Sequence, residues 1–225
     1  MKMPMDKASL ENLLAKQLDN LLSFDRPTES AALATGVESA LKKAEFCFSR
    51  CKNPFYQKDG ETHFSPFHSG QYSVFLYYLS HCIWTEQGNS GLAERIYYLN
   101  KIFNSVDLFY QIKLPEIFHL DHPLGSVMGR AQYSEFFYFS QGCTVGNNKG
   151  IYPCIGKRVS MMSGSFILGN SRIGDNCIIS TQSLVKDQDV PPNSIVFGKS
   201  PDLVIKTKSE KEALDMYSAR IFRYK

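Results

Sequence analysis

Six apolar residues stand one hexapeptide apart through the second half of the chain: Ile155, Met161, Ile167, Ile173, Ile179 and Val185. A helix returns an apolar position about every 3.6 residues and a strand every second residue, so a period of six fits neither. It predicts a parallel β-helix, in which each short strand turns a corner and sends one apolar side chain inward. Gly156, Gly169 and Gly174 fall at or near the expected corners, where the chain needs conformations that other residues reach only with strain. Upstream, Val127, Tyr133, Phe139 and Val145 repeat by six as well. Between Val145 and Ile155 the period slips, and Gly146-Asn147-Asn148-Lys149-Gly150 reads as a loop leaving the coil.

The first hundred residues follow a helical pattern instead. Leu10, Leu13, Leu14, Leu18, Leu21 and Leu22 form one apolar stripe, with Asp6 and Ser9 placed to cap it. Pro27-Thr28 opens a second helix through Ala31, Val37, Leu41 and Ala44 to about Cys51, and residues 53–65 read as a loop. Val74, Tyr77, Tyr78, His81 and Trp84 predict a third helix, and Leu92, Ile96, Leu99 and Ile102 a fourth after the break at residues 88–91. The expected fold is therefore α+β: an α-helical N-terminal domain over 1–105, a hexapeptide β-helix over 106–205, and a C-terminal tail over 206–225. A short helix in that tail, over 210–224, is expected to cap the last coil and shield its strand edges.

Of the 225 residues, 43% are hydrophobic, enough for one large core or two smaller ones. The formal charge is only +3, from 25 basic and 22 acidic residues, which gives no support to a nucleic-acid partner. The apolar-rich run 72–84 is broken by Ser73, Ser80 and His81, and residues 1–7 lack a signal-peptide core. No membrane span and a cytoplasmic location are expected. The six cysteines contain no close metal-binding pair and read as reduced, mostly buried thiols.

Candidate chemistry lies in a series of short motifs. Tyr77, His81 and Trp84 form Tyr-x-x-x-His-x-x-Trp, followed by Val106-Asp107-Leu108 and Leu120-Asp121-His122. Then come Cys143-Thr144-Val145-Gly146, Ile167-Leu168-Gly169-Asn170, Pro191-Pro192-Asn193-Ser194 and Gly198-Lys199-Ser200-Pro201. This series resembles the serine acetyltransferase branch of the hexapeptide acyltransferases, over roughly residues 74–205. The resemblance implies a left-handed β-helix, acetyl-CoA as co-substrate, no metal, and a homotrimer or dimer of trimers. It also implies that His122 takes the proton of an acceptor hydroxyl, that Asp107 orients His122, and that Asp121 binds the acceptor. A hydroxyl is a weak nucleophile at neutral pH, and an imidazole has the basicity to remove its proton as it attacks the thioester. A carboxylate on the other ring nitrogen fixes the tautomer. The cofactor arm is expected along Gly146, Ser163 and Thr181, with Lys199, Lys206 and Lys208 near the CoA phosphates.

Two departures shape the reading of the acceptor. Where the family carries an Arg-His pair that holds the serine carboxylate, this chain has Ile151 and Tyr152, and isoleucine binds no carboxylate. Tyr133, Phe136, Phe137, Tyr138 and Phe139 form an aromatic cluster that reads as core or subunit interface, or as a face on which a sugar stacks. The chain also closes on Arg223-Tyr224-Lys225, where the family's enzymes use an isoleucine to dock onto the next enzyme of cysteine synthesis. The expected function is thus O-acetylation of a sugar hydroxyl, in a surface polysaccharide or its precursor, with Tyr152 against the acceptor. Serine O-acetylation is the alternative within the class. A non-catalytic or carbonic-anhydrase-like β-helix trimer is the alternative outside it, although the solenoid offers only His119 and His122 of the three histidines that such a zinc site needs. His119 reads as structural, His81 as a packed helix histidine, and His63 and His68 as loop residues without a partner.

Overall fold

The computed structural model describes residues 1–224, side chains 217 and 218 apart; Lys225, the last residue of the expected tail, lies outside them. It divides into two compact units, one of Met1–Ser49 with Asn53–Gln111 and one of Arg50–Lys52 with the chain from Ile112 onward. The helical unit thus runs past residue 105 and takes in Asp107.

In the helical unit, α1 (Lys7–Leu21) begins where the Asp6 carboxylate accepts from the Ser9 N–H, and α2 spans Arg26–Ser49. Next, α3 (Ser69–Gln87) starts on His68, whose ring accepts from the Gln71 N–H. His68 therefore has a partner that the sequence did not reveal: it is an N-cap. Gly88, in the left-handed region, ends α3, and Ser105 with φ 50° ends α4 (Ser90–Asn104). Leu10, Leu14, Val37, Phe75, Leu79, Ile83, Leu92 and Ile96 are fully buried. Helices α2 and α3 meet at Gly36, where a β-carbon would stand 2.5 Å from Ile83. The expected loop 53–65 is more ordered than its composition implied. It holds a 3-10 turn, Pro54–Tyr56, and a small antiparallel hairpin of Gln57–Lys58 with Glu61–Thr62.

The second unit is a parallel β-solenoid of about five turns, consistent with the left-handed β-helix. Strand registers set three inward columns: Leu120, Phe139, Met161, Ile179 and Val196; Met128, Val145, Ile167 and Val185; Tyr133, Ile155 and Ile173. All six residues of the uninterrupted hexad series are at most 4% exposed. The upstream series needs a correction. Val127 is 39% exposed and pairs with Thr144, while Met128 takes the inward place beside Val145. That coil is one residue short of eighteen, so counting sixes backward lands one position off, and a one-residue slip turns a side chain to the other face.

The corner glycines also differ from expectation. Gly169 has φ 68°, but Gly156 and Gly174 are required by close approach, not by a positive φ. A β-carbon there would lie 2.6 Å from Asp175 and 2.5 Å from Pro192 respectively.

The end of the solenoid is covered by strand Val204–Thr207, antiparallel to Ser194–Phe197. Two short helices follow, α5 (Glu210–Leu214), opened by a Ser209/Glu212 capping box, and α6 (Tyr217–Ile221). Beyond them the tail returns to the first coils. Phe222 lies 5.5 Å from Phe136 and 6.4 Å from His119, and Tyr224 lies 5.0 Å from Phe136. Backbone bonds from Lys52 to Ile221 and from Arg223 to Arg50, each 2.8 Å, tie residues 50–52 to this end. No described helix is long and apolar enough to cross a membrane.

Candidate active site

His122 follows strand Phe118–Leu120 at a corner of the solenoid. Its φ of 47° is left-handed, and the corner closes with the Asp121 N–H on the Phe139 carbonyl and the Leu124 N–H on the His122 carbonyl. The imidazole is 80% exposed, with Asp121 Oδ1 3.7 Å from Nε2. A histidine held out in solvent on a fixed corner has a free ring nitrogen for an incoming hydroxyl.

Asp107 belongs to the helical unit. Because Ser105 adopts the left-handed region, the chain leaving α4 doubles back and Asp107 meets the last turns of that helix. Tyr97 Oη donates to Oδ1 and Lys101 Nζ to Oδ2, both at 2.8 Å, and Lys101 also donates to Tyr97 Oη at 3.3 Å. The bond to Asp107 pushes the Lys101 ammonium up from its ordinary pKa. Burial, then the Asp107 bond, pushes the Tyr97 hydroxyl up. Sequence reasoning missed this pair. Its signal was a Tyr and a Lys at i and i+4, on a helix that ends just before the motif aspartate.

His119 and His81 have ring partners of their own. His119 is buried, with Nδ1 3.6 Å from Cys51 Sγ and its ring stacked on Tyr138 at 5.9 Å. The His81 ring stacks on Tyr77, with Nδ1 2.8 Å from the Tyr110 carbonyl oxygen. Among the described residues no three His, Cys, Asp or Glu side chains gather where they could hold a metal ion.

A groove of about 700 Å³ runs along the outside of the later coils, lined by Gly164, Phe166, Leu168, Gln182, Leu184 and Lys199. Of the expected cofactor residues, Lys199 lines it. Ser163 and Thr181 precede lining residues, and Ser163 Oγ is bonded to Ser140 Oγ at 2.9 Å. Gly146 is paired in register with the lining Leu168. Lys206 lies over the Phe197 ring.

The expected loop at residues 146–150 is a tight, closed turn. Asn148 and Ile151 exchange backbone hydrogen bonds, and Lys149 and Gly150 have φ 50° and 78°, the signature of a two-residue I′ turn. Asp187 pins it, accepting from the Asn148 amide on one oxygen and from the Asn170 N–H on the other. Ile151 and Tyr152 follow the turn, 50% and 41% exposed. Of the two cations that follow, Arg158 is engaged, donating to Asn176 Oδ1 and lying over Tyr224, while Lys157 is exposed. The aromatic cluster is core: Phe137, Tyr138 and Phe139 are buried, Phe136 packs on Phe222, and Tyr133 Oη donates to the Gly129 carbonyl. Tyr133 and Phe136 are half-buried, and Tyr133 lines a surface pocket with Gln132 and Glu135.

No protein-family profile matches the chain. Among curated relatives, it is 27% identical over 134 residues to a serine acetyltransferase of Mycobacterium tuberculosis, covering 57% of this chain and 58% of that one. With a serine acetyltransferase of Staphylococcus aureus it shares 25% over 147 residues, covering 58% and 63%. The chain thus spans about half to two thirds of the length of the curated relatives it matches. In fold it is similar to the serine acetyltransferase of Vibrio cholerae, with a TM-score of 0.72 at 23% identity over 94% of this chain and 84% of the other. It is similar as well to the Brucella abortus enzyme in complex with coenzyme A, with a TM-score of 0.67 at 20% identity over 91% and 83%. The Neisseria gonorrhoeae enzyme in complex with serine gives 0.68 at 24% identity over 89% and 84%. In sequence and in fold the chain is thus similar to serine acetyltransferases, enzymes built on the hexapeptide-repeat solenoid.

Proposed function

We propose that the chain is an acetyl-CoA-dependent serine O-acetyltransferase. The observation that carries this reading is that its curated relatives and its structural neighbours are serine acetyltransferases. The aromatic cluster adds little to the sugar acceptor expected from the sequence, since Phe137, Tyr138 and Phe139 are buried, and that reading rests on Ile151 and Tyr152.

In the proposed reaction, His122 accepts the proton of the serine hydroxyl as its oxygen bonds to the thioester carbonyl carbon. The tetrahedral intermediate collapses with loss of the C–S bond, and the imidazolium returns the proton to the CoA sulfur. The resemblance gives Asp107 the role of orienting the imidazole and stabilising the imidazolium, and Asp121 that of binding the acceptor. A neighbour's complex with coenzyme A supports acetyl-CoA as co-substrate, and the groove lined by Leu184 and Lys199 offers it a bed. The resemblance supports a homotrimer or dimer of trimers working in the cytoplasm.

One observation favours a second reading, an acceptor without a carboxylate. Ile151 and Tyr152 stand where the family places its Arg-His pair, and Arg158 is tied to Asn176 and Tyr224. Release of CoA thiol, followed with serine and with a panel of sugars, separates the two. Transfer to serine at millimolar concentration supports the first, and transfer to a sugar with none to serine overturns it.

A further inference from the structure

Three polar groups at the end of α4 close a triangle: Tyr97 Oη to Asp107, Lys101 Nζ to Asp107, and Lys101 Nζ to Tyr97 Oη, at 2.8, 2.8 and 3.3 Å. Each carboxylate oxygen has one donor. The Tyr97 ring is wedged edge-on against Phe109 at 5.2 Å and Tyr110 at 6.3 Å, which fixes the direction of its hydroxyl. A carboxylate accepts about four hydrogen bonds, so two donors orient it and leave lone pairs for another partner.

We propose that Tyr97 and Lys101 are positioning residues for the transfer reaction, holding the Asp107 carboxylate in one orientation with a cation beside it. This rests on the reading of Asp107 as the partner of His122. Tyr97 supplies geometry. Lys101 supplies geometry and charge: its ammonium opposes the imidazolium that forms when the base takes a proton, and so tempers the base.

The test is the pH profile of kcat/KM for serine acetylation by the full chain, whose acid limb reports the base of the free enzyme. In Lys101→Met, loss of the cation lets the imidazolium keep its proton, so the acid limb moves to higher pH. The kcat falls about tenfold while the KM for acetyl-CoA stays unchanged. Lys101→Arg restores the limb. Tyr97→Phe lowers kcat without moving it, and circular dichroism checks each fold. Should Lys101→Met not fold, Lys101→Gln takes its place as the neutral variant. An unmoved limb in the neutral variant, in a protein that His122→Ala and Asp107→Asn inactivate, overturns the proposal alone. Normal turnover in His122→Ala overturns the underlying reading and the proposal with it.

Discussion

Asn148 and Ile151 exchange both of their backbone hydrogen bonds, each 3.0 Å long, at the place where the solenoid's period slips. The insertion in that coil is therefore a closed turn, and it makes demands on the residues at its tip. Gly150 sits at φ 78°, where a β-branched residue is strained. Gly150→Val is expected to cost roughly 1–2 kcal/mol of stability. Lys149→Asn, which suits the left-handed region at φ 50°, is expected to cost nothing. Thermal unfolding of the two variants checks this; a Val variant as stable as the wild type would contradict the turn.

The same turn ties stability to pH. The Asn170 N–H, and to a lesser degree the Asn148 amide and the charges of Lys186 and Lys149, hold the Asp187 carboxyl below its ordinary pKa. In the helical unit, the Arg95 bond does the same for Glu29. A carboxyl with a depressed folded-state pKa stabilises the fold above its unfolded pKa, and the contribution is lost as pH falls through the folded value. A double variant, Asp187→Asn with Glu29→Gln, is expected to lose less stability than the wild type between pH 5 and the acid range. The check is Tm against pH, and parallel curves would refute it.

Register gives a sharper pair. Ile167 is fully buried on the middle inward column, so Ile167→Ala is expected to cost about 2–5 kcal/mol. Val127 is 39% exposed, so Val127→Ala is expected to stay within about 0.5 kcal/mol. Urea unfolding measures both. A large loss at Val127 would return it to the core.

What was readable in the chain divides along physical lines. Ile155 to Val185 could be read because each coil there holds eighteen residues, so every sixth side chain keeps its column. Val127 was misplaced because period alone is blind to a coil shortened by one residue; only pairing with Thr144 shows it. The helices were legible from their apolar spacing, but the His68 cap was not, since histidine is an uncommon N-cap. The tail's return to Phe136 depends on non-local packing of Phe222, which no local pattern encodes. For the site, the motifs nominated Asp107 and His122 as candidates. The Tyr97–Lys101 clamp stayed hidden because it forms only when Ser105 reverses the chain onto α4.

If His122 is the base, its imidazole is the group that turns a weak nucleophile into an effective one. His122→Ala is expected to lower kcat by about 10²–10⁴-fold, with acetyl-CoA affinity and Tm nearly unchanged because the side chain is 80% exposed. Turnover assays beside a CoA-binding titration separate the two effects. Near-normal kcat would remove His122 from the mechanism.

The acceptor anchor is the most exposed part of the proposal. Ile151 is half in solvent directly after the turn, and the proposal places it where the family's arginine holds the serine carboxylate. A charge-assisted hydrogen bond contributes about 1.5–3 kcal/mol, and 1.4 kcal/mol is about a factor of ten in affinity. Ile151→Arg is therefore expected to raise kcat/KM for serine by about one to two orders of magnitude, through a lower KM. The backbone of the turn is closed by Asn148 and pinned by Asp187, so the new side chain starts from a fixed position and little of its gain is lost to ordering. Alanine offered in place of serine, as a competitive inhibitor with the same carboxylate and no hydroxyl, should bind more tightly to the variant by a similar factor. An unchanged KM for serine, with unchanged inhibition by alanine, would mean that the carboxylate is held elsewhere.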